Sequence, residues 1–284
     1  MINQHFQISK QAVSQYEQRN FNRMLYHRDL LAQAHMERKI HPRMGAKVLY
    51  DQLHPEGIGR VRYEKLLMEN GFRLKRLKNY FKTTDSEWVH YKNLIANTTL
   101  NAINQVWVSD ITYYQLGENI CYITTVMDLY SRRILGYSVS ERMFAEESSI
   151  RSLRMALKER GIEFYDYLIH HSDRGSQYRS KEYVELLKSK GIKVSMCKNV
   201  YDNPHMERLN GTLKNDYLIP MGVDSFKEIK KILPIIIKRY NNQRPHSSLE
   251  KLTPICFEQY VSTVSLVNRP KTKIKPELST IHRY

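Results

Sequence analysis

Cysteine is scarce in this sequence. The three present, Cys121, Cys197 and Cys256, stand singly with no CxxC pair. That excludes a disulfide framework and a zinc site built on cysteine pairs, and the eleven histidines supply no zinc-finger spacing. Long apolar runs are missing too. The stretch ILPIII at 232–237 falls far short of the roughly 20 residues a bilayer demands. The opening MINQHFQISK has no apolar signal region, so the expected location is the cytoplasm. Acid is also short: 29 Asp and Glu face 45 Lys and Arg, a net charge of +16. A surplus of that size points to a polyanionic partner, because neutralising phosphates releases counterions and drives association.

What is there falls into distinct stretches. Residues 1–85 carry 16 basic against 8 acidic residues, half of the net charge. They read as an all-α domain. MGAKVLYDQL (44–53) places Ala46, Leu49, Tyr50 and Leu53 on one face, HPEGIG (54–59) is a turn, and RVRYEKLLMENG (60–71) turns Tyr63, Leu66 and Leu67 inward. Arg60, Arg62 and Lys65 are left facing out. Helix, short turn and basic helix make a helix-turn-helix-like pattern, and these three side chains are the expected DNA contacts. The polar, weakly periodic stretch 86–104 reads as a linker.

Beyond it the composition changes. QVWVSDITYY (105–114), ICYITTVMDLYS (120–131) and RRILGYSVS (132–140) are β-branched and aromatic, and read as three successive strands. A helix over 146–161, a strand over 165–172, a helix over 180–191 and a strand over 192–197 follow. This order predicts an α/β core, a mixed sheet flanked by helices, over 105–255. Asn203-Pro204 opens a helix with Met206, Leu209, Leu213 and Tyr217 as its buried stripe and Glu207, Asn210 or Gly211, and Lys214 beside it. Ser225-x-x-Glu228 caps a long helix that Pro234 should kink. The basic stretch 256–284 is expected to be an irregular tail.

Phosphodiester chemistry needs a nucleophile brought in line with phosphorus and a stabilised leaving oxygen. Two divalent ions about 4 Å apart supply both, and such hard cations take carboxylate ligands. Asp110 lies mid-strand on the face of Val106 and Val108, where an unpaired charge is costly. Asp173 ends the fourth strand, the end at which open α/β sheets place ligands. Glu207 sits on the exposed stripe of its helix. Asp128 competes for the first role, but its apolar neighbours and following turn favour structural hydrogen bonding. His170 and His171, adjacent on a strand, point to opposite faces and are expected to pack rather than to bind zinc.

Five segments come in a telling order: WVSDITY (107–113), VMDLYSRRILGYS (126–138), HSDRGSQY (171–178), YDNPHMERLNGTLKND (201–216) and YNNQRPHSSLEKLTP (240–254). This order resembles the integrase-type catalytic core. More closely, the chain resembles the second-frame transposase of the bacterial insertion-sequence-three family, over nearly its whole length. The resemblance implies a ribonuclease-H-like fold with a DDE triad on Asp110, Asp173 and Glu207, holding two Mg²⁺ or Mn²⁺ ions. It implies DNA strand cleavage and transfer at the ends of a mobile element, without a covalent protein–DNA intermediate. It further implies double-stranded DNA as partner, a homo-oligomer on DNA, a nucleoid-associated bacterial location, and a frameshift fusion partner that supplies an upstream helix-turn-helix and a zipper. One departure stands out. Between Asp173 and Glu207 lie 33 residues, two fewer than is usual in that family, with the shortfall between Met196 and Tyr201.

Lys214, seven residues after Glu207, is expected to reach a phosphate, and Arg244 in the NNQRPHSSL segment to lie near the DNA. Three rival readings remain open at this point. A structure-specific nuclease would share the core but use only water as nucleophile. A DNA-binding regulator would not need three convergent carboxylates. A tyrosine recombinase rests only on 20 tyrosines and the terminal HRY.

Overall fold

The computed structural model describes residues 9–74, 91–197 and 203–274, and the chain divides into two units, Met1–Leu77 and Lys78–Tyr284. In the first, the Ser9 side chain caps helix α1 (Lys10–Ile40) by accepting from the Ala12 amide. Helix α2 (Ala46–Leu53) and helix α3 (Arg60–Glu69) are joined by a turn with His54 at φ 44° and Gly57 at φ 73°. Leu30, Ala34, Met44, Leu49, Tyr63, Leu67 and Phe72 close into one small core. The face of α3 turned away from it exposes Arg60, Arg62 and Lys65. Arg60 pairs with Glu64 at 3.3 Å and Lys65 with Glu69 at 3.8 Å. Exposed pairs at this spacing contribute only a few tenths of a kcal/mol.

The second unit begins with β1 (Thr99–Leu100), then builds a hairpin from β2 (Val106–Leu116) and β3 (Asn119–Asp128) around Gly117 at φ 58°. β4 (Ile134–Ser140) follows antiparallel to β3, with a bulge at Val126/Met127. A π-type turn (Glu146–Ile150) leads into α4 (Arg151–Arg160), which lies across β4. Gly136 permits the approach: a Cβ there would stand 2.0 Å from the Ser152 carbonyl oxygen. β5 (Ile169–Ser172), α5 (Ser176–Arg179), α6 (Lys181–Ser189) and β6 (Lys193–Met196) complete the sheet. Its order is β4-β3-β2-β5-β6, with β2, β5 and β6 parallel and the hairpin strands antiparallel. This is the ribonuclease-H-like arrangement, with β2 at the centre.

Helices cover both faces. Below, Trp107, Val126 and Leu135 pack with Ile150, Leu153 and Ala156 of the α4 region and Tyr183 and Leu187 of α6. Above, Val106, Val108 and Ile123 pack with α7 (Pro204–Gly211), its π-type continuation (Thr212–Leu218) and α8 (Phe226–Gln243). Met206, Leu209, Leu213 and Tyr217 are all buried, as their spacing predicts, and Ile229, Leu233, Ile236 and Tyr240 continue the layer. Pro234 lies inside α8 without ending it. No helix among the described residues is long and apolar enough to cross a membrane.

Three readings of the sequence need correction. The fourth strand is shorter than expected, because Tyr165–Leu168 runs as a loop with Tyr165 and Leu168 buried as anchors. The stretch read as a linker is partly core: Ile95 and Leu100 are buried, and the Leu94 amide donates to Ser195 Oγ at 2.8 Å. The tail is not irregular throughout. Thr253 caps α9 (Pro254–Thr263), whose Phe257 and Val261 enter the upper core, and β7 (Thr272–Lys273) pairs antiparallel with β1. The expected loop shortening between Met196 and Tyr201 falls chiefly on 198–202, outside the described residues.

Candidate active site

β2 runs through the centre of the sheet with Asp110 on its upper face, registered against Thr125 of β3. β5 lies parallel to β2 with Val108 opposite His171, so its C-terminal end delivers Asp173 beside Asp110. The turn after β5 fixes that carboxylate, since the Gly175 amide donates to Asp173 Oδ1 at 3.0 Å. α7 crosses above. Its exposed Glu207 lies one turn before Asn210, whose amide donates to Asp110 Oδ2 at 2.7 Å.

The electrostatics identify the tension at this point. Burial, then the Asp173 charge, with a smaller push from Glu207, raise the Asp110 carboxyl to about 7, while the Ile111 amide and Asn210 pull it down. Burial also raises Asp173, against the Gly175 hydrogen bond. Like charges gathered in a poorly solvated place repel unless a cation or a proton sits among them. Among the described residues no three His, Cys, Asp or Glu side chains stand at metal-ligand spacing. The donor set is nonetheless the chemistry a hard divalent cation takes: carboxylate oxygens whose mutual repulsion a cation relieves.

Lys214 continues the stripe of Asn210. Its ammonium donates to Thr112 Oγ1 at 2.9 Å and lies 5.2 Å from the centre of the Tyr113 ring. Burial lowers its pKa, and the Asp110 charge opposes that. Thr112 stands two residues from Asp110 on the same face of β2. Sequence reading passed over it because a threonine in a strand is ordinary. The helical spacing leaves Asn210 and Gly211 as alternatives on the stripe; the structure puts Asn210 in contact with Asp110, a partner 100 residues away.

Beneath the carboxylates the lower face is polar but closed. Ser109 Oγ and the Tyr178 hydroxyl share a 2.9 Å hydrogen bond, and the Tyr183 hydroxyl meets His170 Nε2 at 2.9 Å. Burial pushes both phenols well above their ordinary value. His171 turns the other way, to Ser195 Oγ at 2.8 Å. Both imidazoles are fully buried and depressed, chiefly by burial, to about 3 and about 4. They are neutral packing groups.

Asp128 is a structural residue. It accepts from the amides of Asn104, Tyr130 and Ser131 and lies against Arg160. Arg244 pairs with Asp216 at 2.9 Å. Arg60, Arg62 and Lys65 belong to the first unit.

Residues 101–200 match the integrase core domain, and residues 191–254 match a second integrase core domain family. The chain is 35% identical over 226 residues to the insertion element IS600 uncharacterized 31 kDa protein of Shigella sonnei, covering 76% of this chain and 81% of that one. It is 33% identical over 233 residues to the transposase for insertion sequence element IS904 of Lactococcus lactis, covering 74% and 90%. Transposase InsF for insertion sequence IS3fB of Escherichia coli is 36% identical over 159 residues, covering 55% and 54%. The chain belongs to the family of insertion-sequence transposases with an integrase core domain, enzymes that use divalent metal to cleave and join DNA strands at the ends of a mobile element.

Proposed function

We propose that Asp110, Asp173 and Glu207 are the carboxylates with which this transposase performs both of its steps. The observation that carries the assignment is the hydrogen bond from Asn210, one turn from Glu207 on α7, to the buried Asp110 carboxylate, on which the Asp173 charge also presses. Asp110, Asp173 and Glu207 would hold the divalent ions, two Mg²⁺ or Mn²⁺, which would supply Lewis-acid stabilisation of the charge that develops at the reacting phosphate.

The chain's own residues do the rest. Asn210 fixes one oxygen of Asp110 by donating to it. Gly175 fixes Asp173 in the same way. Lys214 stands over Tyr113 with its ammonium next to the Asp110 charge, placed for a backbone phosphate of the substrate. In the first step the oxygen of water bonds to phosphorus at the element end, and the bond to the 3′ oxygen breaks. In the second that 3′-hydroxyl bonds to another phosphorus, and the displaced oxygen leaves with the proton. The number of phosphodiesters is conserved in the second step, so it needs no external energy.

Equilibrium titration with Mn²⁺, followed by its paramagnetic resonance signal, tests the metal assignment apart from activity. Two ions per chain are expected for the wild type in the presence of DNA, with binding at least tenfold weaker in Asp173→Asn. Unchanged stoichiometry and affinity in that variant would remove Asp173 from the metal site.

The DNA-binding role of the first unit is part of the same proposal. Arg60, Arg62 and Lys65 lie exposed along one helix on a separate small core, as a recognition surface requires. A chain starting at residue 90 is expected to retain the core fold and lose most of its affinity for element-end DNA. Arg60→Ala with Arg62→Ala should reproduce part of that loss, read by gel shift at fixed salt. Equal affinity of the truncated and whole chains would make the first unit a packing module. Homo-oligomerisation on DNA, and an upstream fusion segment that adds a further DNA-binding element and a zipper, complete the reading.

A further inference from the structure

The upper layer contains a second cluster of charge, on the flank of α7 away from Asn210, which the chemistry above does not use. Arg132 lies at the β3–β4 turn with φ 60° and is only 9% exposed, yet its Nη1 has no hydrogen-bond partner. Arg208 stands two residues from Asn210 on α7, so it projects from nearly the opposite side of the helix, and it is exposed. Arg244, at the end of α8, holds Asp216 with Nη2 and leaves a buried Nη1 unmatched. His246 packs edge-on against Tyr240 with ring centres 4.8 Å apart, and its buried Nε2 is also unmatched.

These groups feel one another. Arg244 and Arg132 lie close enough to His246, and Arg132 and Arg208 close enough to His205, to act on those rings electrostatically. Arg132 itself is lowered by burial, with Arg208 adding to that against Tyr240 and Asp128. Two carboxylates stand nearby, and both are committed: Asp128 to Arg160 and the turn amides, Asp216 to Arg244. Buried donors are almost always satisfied, and a guanidinium left short among other cations is a place for an oxyanion. Asp128 and Asp216, so committed, do not fill it.

We propose that Arg132, Arg208, Arg244, His205 and His246 form a phosphate pocket on the flank of α7 that holds one backbone phosphate of bound DNA. Arg132 is its floor and Arg208 its exposed lip. Because α7 also bears Glu207, a phosphate held here fixes the position of the catalytic helix relative to the duplex. The inference rests on the reading that Glu207 acts on DNA, and it gives the YNNQRPHSSL segment a binding role in addition to ending α8.

The full chain is titrated with a fluorescent duplex in EDTA, where no cleavage occurs, across a range of salt, and binding is read as anisotropy. Arg208→Ala should lower the log–log salt slope by about one unit, uniformly across sequences. Arg132→Lys keeps the charge and loses the two-pronged geometry, so the slope should hold while affinity falls about tenfold. A parallel thermal melt compares inorganic phosphate with chloride at equal ionic strength. Phosphate is expected to stabilise the wild type and not Arg132→Lys. If Arg132→Lys fails to fold by circular dichroism, the exposed Arg208→Ala decides alone. Unchanged slope and affinity in the folded variants would overturn the pocket. Stabilisation by free phosphate with unmoved DNA binding would overturn the DNA assignment. Glu207→Gln, which should lose cleavage but keep the salt slope, reports separately on the triad.

Discussion

Asp110→Asn is expected to abolish strand cleavage and joining while making the metal-free protein more stable. Loss of a preorganised charge at the reacting phosphate costs on the order of a thousandfold or more in rate. The stability effect has the opposite sign. Burial first, and Asp173 second, raise the Asp110 carboxyl from 3.8 to about 7 in the folded chain. Its contribution to stability is therefore fully present below pH about 4 and is lost as pH climbs through about 7, where folding must accommodate a buried, repelled charge. The loss is at most on the order of 4 kcal/mol. Asparagine is neutral throughout and escapes it. Thermal melts of the metal-free wild type from pH 4 to 8 should fall relative to Asp110→Asn, and added Mn²⁺ should narrow the gap in the wild type alone. Parallel melting curves at every pH would show that the site is not strained.

The second large effect lies away from the chemistry. Arg160 Nη2 donates to Glu258 Oε1 at 2.6 Å and Nη1 to Oε2 at 2.9 Å, while the same Nη2 reaches Asp128 at 3.4 Å. Arg133 Nη1 donates to Glu258 at 2.7 Å, and Ser131 Oγ donates to the same carboxylate at 2.7 Å. Burial pushes Glu258 up, but the arginines outweigh it and hold the carboxyl below its ordinary value. Burial wins at Asp128, which is raised. Arg160→Ala would leave Asp128 buried without its cation and Glu258 with Arg133 alone, a change that costs about 3–5 kcal/mol. For a unit of this size that lowers Tm by roughly 10 °C. The contribution of Glu258 is present above its unfolded pKa and is lost as pH falls through the lower folded value, so acidification should narrow the difference between wild type and Arg160→Ala. A Tm within about 2 °C of wild type at neutral pH would contradict the role given to this network.

These two cases show where the sequence is readable and where it is not. Asp110, Asp173 and Glu207 are singled out by the order of the segments around them, which resembles the integrase-type core. A charge mid-strand, an aspartate at a strand end and a glutamate beside an apolar stripe do not by themselves select three from 29 acidic residues. Asp128 is separable from them by its turn, since an Asp before Tyr130 and Ser131 caps its own backbone. Glu258 is not legible in the same way. Thr253-Pro254 is a helix start, but the basic residues beyond α9 dominate the composition of the tail, and the partner of Glu258 lies 98 residues upstream. β1 and β7 are two residues each, too short to carry a period. Their pairing is decided by tertiary contact.

The most direct test of the central claim follows an end-labelled duplex carrying the element's terminal sequence, incubated with the full chain and Mg²⁺ or Mn²⁺. The products are resolved on denaturing gels before and after proteinase treatment. The account predicts a nick that leaves a 3′-hydroxyl at the element end, then a joined strand, with neither product changed by proteinase and both absent in Glu207→Gln. Full cleavage by Glu207→Gln, or a labelled strand that migrates freely only after proteinase, would contradict it.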